Sequence, residues 1–164
     1  MLASYDHLAA PAAVASPATQ NRGAKNLYDF VLRRIDGSPL PLVPFKGKVL
    51  VLSFWATWCG PCRELEPLFG QVEKSYQGNS ELAFFAASAD EDQTLVAPFL
   101  ARVKWDVTAV YADGLDEFLK VASLPTVLIL GRDGKIVYRV SGYSPAGFPE
   151  SLNVAIQAAL SSAK

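Results

Sequence analysis

Residues 49–55, Val-Leu-Val-Leu-Ser-Phe-Trp, are apolar apart from Ser53, and they lead almost directly into a Cys-x-x-Cys pair, Cys59 and Cys62. A nearly continuous apolar run of this kind fits a central strand covered on both faces, because a strand wet on one side alternates apolar with polar. Beyond the cysteines the period changes. Leu65, Leu68, Phe69, Val72 and Tyr76 recur at spacings of three and four, the stripe of an amphipathic helix that should end near Gly78. Pro67 falls inside that helix, where it removes a backbone hydrogen bond and bends the axis.

The flanking segments extend the pattern. Leu27 to Leu32 reads as a short strand and Asp36-Gly37-Ser38-Pro39 as a turn. Residues 40–43 form a partner strand that Pro39, Pro41 and Pro44 confine to a sheet edge. Leu82 to Ala87 is a second buried strand. Asp90-Glu91-Asp92 is an acidic cluster of the type that opens helices, with a helix expected over 94–103 and Pro98 near its first turn. A strand at 107–111, a short helix at 116–121 and a strand at 126–130 follow. Arg132-Asp133-Gly134-Lys135 is a hairpin turn, and 136–140 is the returning strand. Pro149 opens a last helix with Leu152, Ile156, Ala159 and Leu160 inward. Strands alternating with helices predict an α/β fold with a mostly parallel core and an antiparallel closing hairpin.

Composition narrows the function. The net charge is −1 over 164 residues, which gives no electrostatic case for nucleic acid or an anionic membrane surface. No run of about 18 apolar residues appears, so no bilayer-spanning helix is expected. Residues 1–25 are rich in Ala and Pro and read as a linker or tail, leaving 26–164 as the folded domain. The stretch is not a secretory signal as it stands: its first Lys or Arg is Arg22, and Pro11 and Pro17 interrupt the apolar run. It would suit a linker behind a membrane anchor or another domain.

The two cysteines of the chain both lie in the one motif. A tetrahedral zinc site needs four ligands, and the remaining candidate is His7 in the tail, so no metal is expected. A loop closed across two residues constrains the unfolded chain little, which argues against a purely structural disulfide. Redox chemistry fits better. Placed between a buried strand and a helix, Cys59 should lie at the helix N-terminus, where free N–H groups and the dipole favour a thiolate. Cys62, one turn further in, should be the less exposed. The expected cycle is attack of Cys59 on a substrate disulfide, followed by release of the product by Cys62. His7, Trp105 and the 90–92 cluster carry no functional signal and read as tail, core and solvated cap.

The segment Phe54-Trp55-Ala56-Thr57-Trp58-Cys59-Gly60-Pro61-Cys62 resembles the active site of the thioredoxin superfamily. Lys46-Gly47-Lys48 with the strand behind it, and the long segment between the second and third core strands, are similar to the TlpA/ResA-like branch. The resemblance covers residues 27–161. It implies a thioredoxin-like fold: a central mixed sheet flanked by helices, with an N-terminal β-hairpin extension and a βα insert. It also implies a cis proline at Pro125, so that Leu124 offers its backbone to a bound peptide. Pro67 matches the kinking proline of the family. Gly142 matches a glycine beside the cis-proline loop, where a side chain would crowd the substrate. Trp58, Gly60 and Pro61 are implied to border the substrate. No cofactor beyond a redox-active Cys59–Cys62 disulfide is implied. The implied partners are a protein thiol or disulfide substrate and an upstream electron donor. A monomer outside the cytoplasm, tethered in some members, is the favoured setting, with the cytoplasm as the alternative.

Two departures concern proton handling. Ser53 occupies the position, six residues before the first cysteine, where thioredoxins carry a buried aspartate, and a serine is a poor base. Leu65 stands where many TlpA/ResA-like members carry a glutamate. Glu64 and Glu66 flank it and are expected to be surface charges. The competing functions are a thiol peroxidase of the peroxiredoxin or glutathione peroxidase type, and a non-catalytic thioredoxin-like interaction module. The peroxidase lacks a matching set of polar donors downstream of the motif.

Overall fold

A computed structural model of the chain describes residues 20–144 and 146–162. Among the described residues seven strands form one sheet: β1 Val31–Arg34, β2 Pro39–Pro41, β3 Val49–Trp55, β4 Leu82–Ser88, β5 Ala109–Tyr111, β6 Thr126–Leu130 and β7 Ile136–Ser141. The α-helices among the described residues are α1 Cys62–Ser75, α2 Val96–Val103, α3 Leu115–Phe118 and α4 Phe148–Ser161. The strand order is β2-β1-β5-β4-β3-β6-β7.

Every residue of β3 is buried, as its apolar run requires. Its side chains divide by parity. Val49, Val51 and Trp55 join a core with Leu65, Phe69 and Val72 of α1 and Leu152 and Ile156 of α4. Leu50, Leu52 and Phe54 join a second core on the opposite face with Leu27, Phe30, Leu32 and Leu115. The chain is therefore a sheet between two apolar layers, and Ser53 shares the α1 side with its odd-numbered neighbours.

Three expectations need correction. The sheet is mixed, as the family resemblance implies, rather than mostly parallel, as the alternation of strands and helices suggests: β3, β4 and β5 are parallel, whereas β6 runs antiparallel to β3, and β1 runs antiparallel to β5. The first strand begins at Val31, because Leu27–Asp29 is a 3-10 turn closed by a capping box between Asn26 and Asp29. The helix expected over 94–103 opens as a 3-10 turn at Gln93–Leu95, capped by Asp92, before α2 begins. Pro98 then falls at the third residue of α2, in the first turn, where a missing N–H costs nothing. β2 is an edge strand with Pro39 and Pro41 exposed, as its prolines demand. The residue His7 lies outside the described residues. Trp105 packs on the α1-side core through edge contacts with Trp55 and Phe99.

Gly70 fixes how closely α1 approaches the β4–β5 side. A Cβ there would lie 2.4 Å from the carbonyl oxygen of Asp106, so the helix meets backbone at a point where no side chain fits. Three residues on, Glu73 accepts hydrogen bonds from the Thr108 backbone N–H (3.1 Å) and Oγ1 (2.8 Å).

Candidate active site

The site forms where β3 hands over to α1. Cys59 and Cys62 are joined as a disulfide with their Cα atoms 5.4 Å apart. Cys62 is the first residue of α1, and its backbone N–H donates to Cys59 Sγ at 3.3 Å. The sulfur of Cys59 thus sits against the N-terminus of a 14-residue helix, as the order of strand, motif and helix predicts. Cys62 is fully buried, whereas Cys59 retains 4% of its surface. Cys62 is the less exposed of the two, as expected, but Cys59 is more covered than an open nucleophile would be. In the disulfide it is folded into the α1-side core cluster together with Cys62.

Trp58, immediately before the pair, is 71% exposed and forms an apolar rim. Behind it the turn is held from below. The backbone N–H of Thr57 donates to both oxygens of Asp90 (3.1 and 3.0 Å), and its hydroxyl donates to Asp90 Oδ1 (2.5 Å). Ser88 Oγ adds a bond to Asp90 at 2.8 Å. Asp90 is buried, so its expected place in a solvated cap is corrected: this carboxylate anchors the loop that presents Cys59. Of the cluster, Asp92 is the residue that caps a helical turn.

A groove of about 370 Å³ lies beside the Cys59–Cys62 turn, lined by Gly60, Pro61 and Glu64 from the turn and α1, and by Leu124, Pro125, Gly142 and Tyr143 from later in the chain. The Leu124–Pro125 bond is cis. Among the described residues the backbone N–H and C=O of Leu124 have no hydrogen-bond partner, and β6 begins two residues later. The Pro125 carbonyl accepts from Gly142 N–H at 2.8 Å. Gly142 has φ +83°, with open space where a Cβ would stand, so its backbone conformation demands glycine. A separate cavity of about 760 Å³ beside Ser88, Asp113 and Phe118 includes no residue of the Cys59–Cys62 turn.

Four residues beyond Cys62 in α1, Glu66 overturns its reading as a surface charge. It is fully buried, accepts a hydrogen bond on Oε1 from Ser53 Oγ, and has no partner on Oε2 among the described residues. Burial pushes its pKa up to about 8; the Ser53 bond opposes that rise and the charge of Glu73 adds to it. Four residues advance a helix by about 400°, so Glu66 stands within about 40° of Cys62 on the same face. Ser53 is therefore part of the site as the donor that orients this carboxyl. Glu64, by contrast, is exposed as expected. Pro67 lies inside α1, where the kinking proline was placed.

The arrangement can perform dithiol–disulfide exchange: a sulfur at a helix N-terminus, a second sulfur on the first residue of that helix, and a buried carboxyl four residues further along the same helix face. The family model for Redoxin matches residues 20–155. The chain is a member of the Redoxin family. Thiol-disulfide oxidoreductase ResA of Bacillus thuringiensis subsp. konkukian is 29% identical over 120 residues, covering 72% of this chain and 69% of that protein. The thioredoxin-like protein YneN of Bacillus subtilis is 33% identical over 112 residues, covering 66% and 65% of the two chains. Among solved structures, a Chlorobium tepidum protein provisionally assigned as thiol:disulfide interchange protein DsbE superposes with a TM-score of 0.70 at 31% identity. It covers 80% of this chain and 92% of its own. This Redoxin-family chain has the thioredoxin-like fold of the ResA-like branch, and it is a thiol–disulfide oxidoreductase.

Proposed function

We propose that the chain reduces protein disulfides, with Cys59 as nucleophile and Cys62 as resolving thiol. The observation that carries this reading is the unequal burial of two bonded sulfur-bearing residues at a helix N-terminus, the outer one alone retaining surface. In the reduced protein, Cys59 thiolate attacks one sulfur of a substrate disulfide. A Cys59–substrate S–S bond forms, the substrate S–S bond breaks, and the departing sulfur takes a proton from water. Cys62 then loses its proton and attacks Cys59 Sγ. The mixed disulfide breaks, Cys59–Cys62 re-forms, and the second substrate sulfur leaves as thiol. Two electrons pass to the substrate, and an upstream dithiol donor restores them.

Glu66 is the acceptor for the Cys62 proton in this reading. Held protonated up to about 8, Glu66 accepts only in its ionised form, so this step should quicken as pH rises toward 8, where its pKa is close to the ordinary thiol value of about 8.5 and transfer between the two is nearly balanced. Ser53 holds the carboxyl in place. The substrate lies along the groove, its backbone facing Leu124 and its apolar part on Trp58. The likeness to the ResA-like branch and the Ala/Pro-rich stretch over residues 1–25 support a monomer working outside the cytoplasm behind a tether. No helix among the described residues is long and apolar enough to cross a membrane.

The test is turnover of a protein disulfide such as that of insulin with dithiothreitol as donor. The protein should accelerate reduction well above dithiothreitol alone, and Cys59→Ser should remove the acceleration. A rate equal to dithiothreitol alone, or efficient consumption of hydrogen peroxide in its place, would overturn the reading.

A further inference from the structure

Glu64 has no role in the cycle described above, yet it lines the groove beside the disulfide. It is the single formally charged residue among those lining that groove. No ion pair or hydrogen bond involves its side chain among the described residues. Its own helix cannot neutralise it either. The positions three and four residues away are Gly60, Pro61, Pro67 and Leu68, none of them cationic. The adjacent Arg63 is engaged elsewhere, with its guanidinium 5.3 Å from the centre of the Phe99 ring.

A carboxylate in this first turn has a local cost. It gains from the helix dipole, but it also sets a negative charge two residues from Cys62, in the field that favours the Cys59 thiolate. A neutral residue here would spare the thiolate that repulsion. An unpaired acid at the edge of a substrate groove otherwise made of glycine, proline, leucine and tyrosine is free to meet a cation carried by the substrate.

We infer that Glu64 is a specificity-determining residue that selects disulfide substrates carrying a lysine or arginine next to the reactive cysteine. The inference rests on the disulfide-reducing reading above and names the substrate class of that same groove. The approaching cation would pair with Glu64 while the peptide backbone lies along Leu124. An exposed pair of this kind contributes modestly and is screened by salt, so the preference should be severalfold and strongest at low ionic strength.

Three disulfide-bonded peptides, identical except for Lys, Ala or Glu beside the cysteine, test this. Their kcat/KM values would be measured for the full chain at about 20 mM and 500 mM salt. The wild type should prefer Lys over Glu by about three- to tenfold at low salt, with the ratio falling toward one at high salt. Glu64→Gln should bring the low-salt ratio close to one, and Glu64→Lys should invert it. A helix-stabilising role alone would not produce inversion. A wild type indifferent to the flanking charge, or a Lys preference that survives in both variants, would overturn the inference while leaving the Ala peptide a substrate. Failure to reduce any of the three peptides would sink the disulfide-reducing reading and this inference with it.

Discussion

Replacing Glu66 by glutamine should make the oxidised protein more stable at alkaline pH and leave it nearly unchanged in mild acid. The sign follows from the direction of the shift. The unfolded carboxyl ionises near its ordinary 4.5, whereas burial holds the folded one protonated up to about 8. Between those values unfolding releases a proton, so stability falls as pH rises through the window. The slope of one such group is about 1.4 kcal/mol per pH unit, and across the window the loss is on the order of 5 kcal/mol. Glutamine mimics the protonated acid in size, still accepts from Ser53, and does not titrate. The assay is guanidinium denaturation of oxidised wild type and Glu66→Gln at pH values from 4.5 to 9. The two should coincide near pH 4.5, diverge steadily, and run parallel above about pH 8, with the variant the more stable. Glu73 and Asp116, whose pKa values burial also raises, remain in both proteins, so the difference reports Glu66 together with its coupling to Glu73. A difference between the two proteins that does not change with pH would refute the reasoning.

Two further outcomes follow from packing. Gly70→Ala should destabilise the protein by roughly 1–3 kcal/mol in the same denaturation assay, because the new Cβ meets the Asp106 carbonyl 2.4 Å away. Arg33→Met should cost about 3 kcal/mol. It removes the 3.0 Å ion pair to Asp113, whose side chain is fully buried, and leaves that carboxylate without its cation.

How much of this was legible in the sequence depends on what kind of signal carried it. The unbroken apolar run made β3 readable, and the three-and-four spacing made α1 readable, because burial acts on each side chain directly. Strand direction leaves no such mark. The residues of β6 would show the same period whether they ran parallel or antiparallel to β3, so the antiparallel pair was legible through the family resemblance, which implies a mixed sheet, and not through periodicity. At 27–29 the apolar Leu27 and Phe30 outweighed a capping signal that was present, with Asn26 and Asp29 three residues apart. The cysteine pair was legible because its spacing and its setting between strand and helix are local facts. Glu66 and Asp90 were not, since buried acids are the exception and charge alone reads as surface. The pairing of Asp90 with Thr57 spans 33 residues and exists only once β3 and β4 lie side by side.

Trapping the exchange intermediate tests the central claim most directly. With Cys62→Ser, a disulfide-bearing peptide should accumulate as a covalent adduct on Cys59, identified by mass spectrometry of the digested complex and released by dithiothreitol. With Cys59→Ser, no adduct should form, because the remaining thiol has no surface. Adduct formation through Cys62 at a comparable rate, or none through Cys59, would contradict the account.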